Sequence, residues 1–316
     1  MQLILIILFL LVCFIGVILY FFNLAFVKNK RDGVAELDPS INKSLEKYKD
    51  VIDEGNVFIK NKPNKWYYTT AFDGIKLAAR YYDNNSEKTI LLFHGYRSSA
   101  AHDFSCAVSM YYNFGFNVLL VDQRSHGKSE GKLITFGVKE SDDVHSWIEF
   151  LNAKFSPKEI ILSGISMGAT TVLLSLKNPL PDNVKGIIAD CGFTSPVDII
   201  KKVAKQSFKI DADFFIPFLD FACKIFGRFS IKNISTVNTV KNSKIPIAFI
   251  HGKKDDFVPC EMSEKAFSSC GEKGRIIISK EAGHGISFLV DTELVVIEIY
   301  KFLKENLKDF NVENFN

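Results

Sequence analysis

Gly164-Ile165-Ser166-Met167-Gly168 lies between an apolar run, residues 159–163, and a helix-like run, residues 169–177. The pattern is Gly-x-Ser-x-Gly at a strand-to-helix turn, where the serine has to adopt a strained backbone conformation. Glycines two residues before and after the serine leave room for the tight turn, because a side chain at either place would clash with the neighbouring backbone. The stretch therefore predicts a nucleophile elbow that presents Ser166.

Around this turn, short apolar strands alternate with longer helical stretches from Lys65 onward. The first two predicted strands meet at Asp73-Gly74, a turn dipeptide of antiparallel hairpins. The later strands are rich in Ile, Leu and Val and are separated by helices near 101–113, 138–154, 169–177, 261–269 and 290–307, as in a buried parallel sheet. The predicted strands are 66–72, 75–82, 89–93, 118–121, 159–163, 184–189, 245–250 and 275–279. The sequence thus predicts an α/β domain with a mostly parallel eight-stranded sheet and helices on both faces.

The stretch of about residues 193–243 breaks this alternation, because it has no convincing strand and holds an aromatic-rich block, residues 208–229. A connection of that length inside a compact domain is usually a functional insert, so we predict a short helical lid. Its rings could face an acyl chain, or could bury one another within a helical pair. The rings in question are Phe214, Phe215, Phe218, Phe221 and Phe226.

The N-terminal residues 3–27 are almost entirely aliphatic or aromatic, and a helix of this length can cross a bilayer core of about 30 Å. No Lys or Arg precedes the run and no small-x-small site closes it, which disfavours a cleaved signal peptide. We therefore predict a transmembrane anchor over residues 1–27. Because Lys28, Lys30 and Arg31 follow it, the positive-inside rule predicts a single-pass membrane protein with its C-terminal bulk on the cytoplasmic side.

Residues 28–64 are predicted to be a tether with an amphipathic helix, and residues 65–316 the folded domain. Asp38-Pro39-Ser40 is a plausible helix start, and apolar residues follow at helical spacing. The helix could lie on the membrane or pack on the domain, and its sequence is compatible with both. Its apolar positions are Ile41, Leu45, Tyr48, Val51 and Ile52.

Composition narrows the classes of partner. The net charge is +3, with no basic cluster interleaved with aromatic residues, so nucleic acid is not an expected partner. Five cysteines lie outside the apolar run, without the paired spacing of a disulfide framework or a zinc site. The segment Gly127-Lys128-Ser129 is not part of a phosphate loop, because Asp122 stands where that motif requires glycine. The sequence therefore predicts neither a metal nor a cofactor.

A serine nucleophile needs a histidine to accept its proton and a carboxylate to orient that histidine. His284 follows the last predicted strand, at the edge of the sheet where the elbow is expected, and is our candidate base. Asp255 and Asp256 follow the strand 245–250 at the same edge, and from their position alone either could be the acid. We assign structural roles to three other histidines, His102, His145 and His251.

The negatively charged intermediate of acyl transfer also needs hydrogen-bond donors. In an elbow of this kind one donor is the backbone N–H that follows the nucleophile, here that of Met167, and the other comes from the loop after the third strand. That loop reads Phe93-His94-Gly95-Tyr96, which makes the N–H of Tyr96 the second candidate. Gly95 lets the backbone approach the substrate, and His94 is expected to shape the loop.

Taken in order, these motifs resemble the α/β-hydrolase superfamily over about residues 65–307, in the branch of monoacylglycerol-lipase-like and serine-aminopeptidase-like enzymes. The resemblance implies Ser166 as nucleophile, His284 as base and, from the pattern H-G-x-x-D-x-x-V-P, Asp255 as the acid. It also implies the N–H groups of Tyr96 and Met167 as the oxyanion hole. One departure is Arg124-Ser125-His126, where the family more usually has Arg-Gly-x.

The resulting hypothesis is a membrane-anchored serine hydrolase that cleaves a carboxylic ester through an acyl-serine intermediate, with acyl lipids among the candidate substrates. An aminopeptidase or amidase on the same triad is the first alternative, since Asp211, Asp213 and Asp220 in the lid could bind a substrate amine. A catalytically silent hydrolase fold that serves as a tethered scaffold is the second. Because this fold serves many substrates, the resemblance does not choose among them.

Overall fold

The computed structural model of the protein describes residues 1–29 and 43–312. Its strands are β1 (Lys65–Thr70), β2 (Lys76–Tyr82), β3 (Lys88–Phe93), β4 (Asn117–Asp122), β5 (Glu159–Ile165), β6 (Val184–Asp190), β7 (Ile247–Gly252) and β8 (Gly274–Ser279). They form one eight-stranded sheet in the order β1-β2-β4-β3-β5-β6-β7-β8. β2 pairs antiparallel with β1 and β4, and the remaining pairings are parallel. The predicted sheet is confirmed, and every strand end falls within two residues of its prediction.

Helices cover both faces of this sheet. The α-helices of the described residues are α1 (Gln2–Phe26), α2 (Lys49–Asn61), α3 (Ala100–Asp103), α4 (Val108–Asn113), α5 (Glu140–Lys154), α6 (Met167–Leu174), α7 (Pro196–Val203), α8 (Ile216–Ala222), α9 (Thr236–Val240), α10 (Cys260–Cys270), α11 (Ser287–Val290) and α12 (Thr292–Asn306). Leu91 and Phe93 of β3 pack with α5, α6 and α10 on one face, whereas Ile90 and Leu92 pack with α4 and α12 on the other. Successive residues of a strand point to opposite faces, so a continuous apolar strand fills both layers of the core.

Of the positions predicted for an amphipathic helix before the domain, Val51 and Ile52 lie in α2, which packs on the domain, whereas Leu45 and Tyr48 lie in a 3-10 turn before it, Lys43–Tyr48. α2 presents the buried residues Ile52 and Ile59, and its Gly55 comes so close to the loop after α3 that a Cβ would lie 1.8 Å from the carbonyl oxygen of Ser105. At this contact the predicted helix 101–113 is interrupted and becomes α3 and α4. The predicted helix start at Asp38-Pro39-Ser40 and the apolar Ile41 lie outside the described residues.

The predicted lid consists of α7, α8 and α9, and the first two continue into π-helical turns, Ala204–Phe208 and Cys223–Gly227. α1 packs along α8 and its π-helical turn. The ring of Phe14 lies 6.1 Å from that of Phe214 at one end of the contact, and the ring of Phe26 lies 5.6 Å from that of Phe229 at the other. α1 is long and apolar enough to cross a membrane, by length and composition. The division into 1–27, 28–64 and 65–316 stays a prediction.

Candidate active site

The turn between β5 and α6 holds Ser166 in a strained backbone conformation, with φ of 56° and ψ of −114°. Both flanking glycines are required by the surrounding backbone. A Cβ at Gly164 would lie 2.2 Å from the carbonyl carbon of Gly168, and a Cβ at Gly168 would lie 1.8 Å from the carbonyl oxygen of Phe93. Since real Cβ atoms essentially never approach backbone atoms this closely, the two glycines permit the turn that places Ser166 at the carboxyl edge of the sheet.

The structure brings Ser166, His284 and Asp255 together, from three loops at this edge. The Oγ of Ser166 lies 2.9 Å from Nε2 of His284, and Nδ1 of His284 lies 2.6 Å from Oδ2 of Asp255. An ionised carboxylate can only accept hydrogen bonds, so Nδ1 carries a proton and Nε2 of a neutral ring is free to accept one. The arrangement can therefore take a proton from the serine hydroxyl.

Asp255, not its neighbour Asp256, makes the contact with His284. Oδ1 of Asp255 accepts hydrogen bonds from the N–H groups of Phe257 and Val258, at 2.9 and 2.8 Å. Burial would raise the pKa of this carboxyl, but the hydrogen bonds from His251 and His284 outweigh it and lower the pKa to about 2. Asp255 is buried and Asp256 is exposed. Of the two aspartates, Asp255 is therefore the one that contacts His284.

His251 is a second neighbour of the same carboxylate, which the sequence treated as structural. Its Nε2 lies 3.3 Å from Oδ2 of Asp255 and 2.9 Å from the carbonyl oxygen of Val258, and its Nδ1 lies 2.7 Å from Oγ of Ser263. The ring is fully buried. His251 therefore holds the carboxylate that contacts His284, and the one sequence signal for this was its position at the end of a strand, shortly before Asp255.

The loop after β3 runs directly past the serine. A Cβ on Gly95 would lie 3.4 Å from Cβ of Ser166, and the Gly95 N–H donates to Oδ2 of Asp103 at 2.6 Å. His94 is buried, and its Nε2 accepts a hydrogen bond from the N–H of Gln123 at 3.1 Å. His94 therefore shapes the loop, as expected. The N–H groups of Tyr96 and Met167 remain the predicted oxyanion donors.

The departure from the family pattern, Arg124-Ser125-His126, is accommodated in the loop after β4. Ser125 has a φ of 65°, the left-handed conformation that favours glycine, and its Oγ donates to the carbonyl oxygen of Leu133 at 2.7 Å. Arg124 is buried against Asp143. Nε2 of His126 accepts a hydrogen bond from the N–H of Arg97 at 3.1 Å, so this loop braces the one that carries Tyr96.

Two cavities meet at Ser166. The first, of about 490 Å³, is almost entirely apolar and lies under the lid, with walls from α1, α7 and α8. The second, of about 760 Å³, lies on the side of His284 and is enclosed by α3, α4, α11 and α12. Ser166 thus lies between an apolar cavity and a second cavity whose lining also includes polar residues such as Asp103 and Asp190.

Asp190 in the second cavity is a residue that the sequence analysis missed. It ends β6, and among the described residues its Oδ1 has no hydrogen-bond partner. Burial raises the pKa of this carboxyl to about 7, although the charges of His251 and His284 act in the opposite direction. Its place at the carboxyl end of a parallel strand was the available signal, since ligands bind at that end of such strands.

The structure also tests whether the site could hold a metal. Cys191, Asp255 and His284 each offer one ligand atom, and these atoms lie within 4.8 Å of one another. However, Asp255 and His284 are already hydrogen-bonded to each other, and burial raises the pKa of the Cys191 thiol. Because metals bind the thiolate, a protonated and buried thiol is a poor ligand.

The lid aromatics divide between the cavity and the surface. Phe215 lines the first cavity, whereas Phe214, Phe218, Phe221 and Phe226 are exposed. Three of the exposed rings pack on α1, with Phe214 and Phe218 against Phe14 and Phe226 against Phe22. Further rings of the cavity wall come from outside the aromatic block, including Phe136, Phe193 and Phe257.

The lid carboxylates are engaged within the lid itself. Asp220 pairs with Lys224 at 2.7 Å and accepts the N–H of Ile231, and Asp213 pairs with Lys201. Oδ1 of Asp211 accepts the N–H of Asp213 at 3.0 Å. These carboxylates therefore already have partners on the lid.

Comparisons with known proteins agree with this geometry. A family model described as serine aminopeptidase, S33, matches residues 84–230. The uncharacterized protein YqkD of Bacillus subtilis is 26% identical over 227 residues, which cover 72% of this chain and 74% of that protein. Protein bem46 of Schizosaccharomyces pombe is 27% identical over 226 residues, which cover 70% of this chain and 69% of that protein.

Among solved structures, the esterase Pf2001 of Pyrococcus furiosus matches with a TM-score of 0.65 and 25% identity, over 88% of this chain and 99% of that one. Together with the sheet order and the serine turn between β5 and α6, these matches show that the chain belongs to the α/β-hydrolase superfamily. Within the superfamily it falls in the branch of monoacylglycerol-lipase-like and serine-aminopeptidase-like enzymes, as the sequence predicts.

Proposed function

We propose that the chain is a membrane-anchored serine hydrolase that cleaves carboxylic esters through an acyl-serine intermediate. The observation that carries this proposal is the unbroken line of hydrogen bonds from Ser166 through His284 to Asp255. Ser166 is the proposed nucleophile, His284 the general base and Asp255 the acid that orients it. His251 is a positioning residue, since it contacts the carboxylate and not the serine.

In the acylation step, Nε2 of His284 takes the proton of Ser166 while Oγ attacks the ester carbonyl carbon. The N–H groups of Tyr96 and Met167 are proposed to stabilise the resulting oxyanion, and each such donor typically contributes about 3 kcal/mol. The intermediate collapses, its bond to the alkoxy oxygen breaks, and His284 returns the proton to the leaving alcohol. The acyl group stays bound to Ser166.

In the deacylation step, water takes the place of the alcohol. His284 accepts a proton from that water as it attacks the acyl carbon, and then returns a proton to Oγ of Ser166 as the carboxylic acid leaves. Asp255 stays ionised throughout, because its low pKa and its two backbone N–H donors favour the charged form.

Ester substrates are favoured over amides by the surroundings of the serine. An aminopeptidase needs an acidic group that can bind the substrate amine, and the lid candidates already have partners on the lid. Asp190 faces the second cavity and is the carboxylate that keeps the amidase alternative open. Comparing rates on an ester and on the aminoacyl amide of matched size separates the two activities.

The proposed location is a single-pass membrane protein with its hydrolase domain on the cytoplasmic side. Support comes from α1, which could cross a bilayer, and from Lys28, Lys30 and Arg31 directly after it. A reporter that is active only outside the cytoplasm, fused after Asn316, is expected to stay silent. Activity of that reporter would reverse the orientation.

The enzymatic proposal is tested by hydrolysis of p-nitrophenyl esters by the full chain in detergent micelles. We expect release of p-nitrophenol by the wild type, and a fall of about 10³-fold or more in Ser166→Ala, which removes the nucleophile. Equal rates for the wild type and Ser166→Ala would reject the assignment. A folded wild type without any hydrolysis would favour the silent scaffold.

A further inference from the structure

The apolar helix α1 has two unlike halves. Phe14, Ile18, Phe22 and Phe26 recur at every fourth position and turn one face of its second half toward the lid. Residues 2–13 are exposed on every side. An anchor joined to its domain by a free tether would not present such a docked face, so the second half of α1 is part of the folded hydrolase.

The docked half forms a wall of the cavity beside the nucleophile. Ile18, Phe21, Leu24 and Ala25 line the same apolar cavity as Ser166. Across the cavity, the lid contributes residues such as Ile199, Phe215 and Leu219. The space in which an acyl chain would lie is therefore bounded on one side by the predicted anchor.

The end of α1 is also bonded to the loop that carries the predicted oxyanion donor. The hydroxyl of Tyr96 donates to the carbonyl oxygen of Ala25 at 2.7 Å. Nη2 of Arg97 donates to the carbonyl oxygens of Leu24 and Val27, at 3.0 and 2.9 Å. These bonds satisfy terminal carbonyls of the helix and place a cation at its negative end. The position of α1 and the position of the loop are thereby linked.

If α1 crosses a membrane, its length determines how deep the lid lies in the bilayer. At about 1.5 Å per residue, the exposed residues 2–13 extend about 18 Å beyond the docked half, against a hydrocarbon core of about 30 Å. About 12 Å of the core then has to be crossed by docked residues, starting at Phe14. The part of the lid beside Phe14 would therefore lie within the bilayer.

The outer surface of the lid at that level suits hydrocarbon. Phe214 and Phe218 pack around Phe14, with ring centroids 6.1 and 4.9 Å away, and still leave 65% and 41% of their surface exposed. Phe221 on α8 is 64% exposed. A contiguous set of exposed aromatic rings next to a long apolar helix is the composition of a membrane-contacting surface.

We infer that α1 is a wall of the acyl-binding site, and that the site takes the long acyl chain of an ester dissolved in the bilayer, which enters between α1 and the lid. This inference rests on the proposed function, because it assigns a substrate class to Ser166. In this arrangement α1 and the exposed rings of the lid place the cavity next to the lipid. The acyl chain of the substrate then packs against the apolar cavity walls.

The cavity wall is tested by narrowing it from the α1 side. In the full chain, Ile18→Trp is expected to lower the ratio of kcat/KM for p-nitrophenyl palmitate to that for p-nitrophenyl butyrate by at least about tenfold, since each excluded methylene loses its apolar contact. Val17→Trp is the matched control, because Val17 is the adjacent residue and is exposed. We expect the control to keep the wild-type ratio.

Leu24→Trp provides a second variant of the wall, since Leu24 lines the cavity but is 45% exposed and so tolerates a larger side chain. Leu24→Trp tests the same assignment of α1 to the cavity wall if Ile18→Trp fails to fold. An unchanged ratio in a folded wall variant, or an equal change in Val17→Trp, would overturn the assignment of α1 to the site.

The position of the lid is tested without any enzymatic activity. Full-length Phe221→Trp in phosphatidylcholine vesicles is expected to lose fluorescence to lipids brominated on their acyl chains, after subtraction of the wild-type signal of Trp66 and Trp147. Leu294→Trp on α12 is the control and should not be quenched. Absence of quenching in Phe221→Trp would overturn the membrane-embedded position of the lid. A separate result, a wild type that shows no Ser166-dependent hydrolysis, would reject the proposed function itself.

Discussion

Replacing Asp255 by Asn should abolish most of the activity while leaving the fold in place. The difference between the ordinary carboxyl pKa of 3.8 and about 2 corresponds to about 2.5 kcal/mol of preference for the ionised form in the folded protein. That stabilisation is present above the unfolded pKa and is lost as the pH falls through about 2, so the wild type has all of it at neutral pH. We expect Asp255→Asn to lose about 2 kcal/mol of folding stability.

The loss of activity follows from the hydrogen bonds of the same carboxylate. If the amide of Asp255→Asn turns its NH2 group toward Phe257 and Val258, this group faces two N–H donors and cannot accept their hydrogen bonds. An amide that turns its NH2 group toward His284 forces the ring proton onto Nε2, which then donates to Ser166 and can no longer accept its proton. The second orientation is favoured because it keeps both backbone donors bonded, so kcat should fall by about 10⁴-fold, the loss typical of this change in other serine hydrolases.

The assay is the initial rate of p-nitrophenyl butyrate hydrolysis, with the thermal unfolding midpoint measured on the same samples. Asp256→Asn is the matched control, since Asp256 is the exposed neighbour, and it should keep the wild-type rate. Retention of more than about a tenth of the activity by Asp255→Asn would contradict the role of Asp255 as the orienting acid. An equal loss in Asp256→Asn would refute it as well.

Three further substitutions, with Gly16→Ala as a control, probe the fold and the site. Gly168→Ala should prevent formation of the serine turn, because its Cβ would lie 1.8 Å from the oxygen of Phe93; Ser166-dependent hydrolysis should disappear, and near-normal activity would contradict this. Gly55→Ala should lower the unfolding midpoint, whereas Gly16→Ala, with open space around its Cβ, should not. Asp190→Asn should raise the midpoint more at pH 8 than at pH 5. With its pKa raised to about 7, Asp190 stabilises the fold most at low pH and loses up to about 4 kcal/mol as the pH rises to 7, which a non-titrating Asn avoids. Equal shifts at the two pH values would contradict the burial of this carboxyl.

Features that depend on local pattern could be predicted from the sequence. The strands of the sheet are continuous apolar runs because both faces are buried, and the serine turn is identified by its two glycines. His284 followed from its place after a strand, since the carboxyl ends of parallel strands share one edge. Asp255 and Asp256 both follow a strand at that edge, and the choice of Asp255 came from the family resemblance. For Ser166 and His284, the order of the strands along the chain therefore indicates that the two residues lie close together.

Features that depend on packing between distant segments could not be predicted. The contact between α1 and the lid joins residues about 200 positions apart, and an apolar helix has the same composition whether lipid or protein covers it. His251 and Asp190 have no local pattern that separates them from other strand-end residues. Their roles follow from a shared carboxylate and from a cavity, both of which exist only in the folded chain.

The most direct test of the account is whether Ser166 is an activated nucleophile. Full-length protein in detergent is treated with a fluorophosphonate probe, and the adduct is located by mass spectrometry in the wild type, Ser166→Ala and His284→Ala. We expect one adduct, on Ser166, that is absent from Ser166→Ala and forms far more slowly in His284→Ala. A folded wild type that remains unlabelled, or equal labelling of Ser166→Ala, would contradict the proposed serine hydrolase.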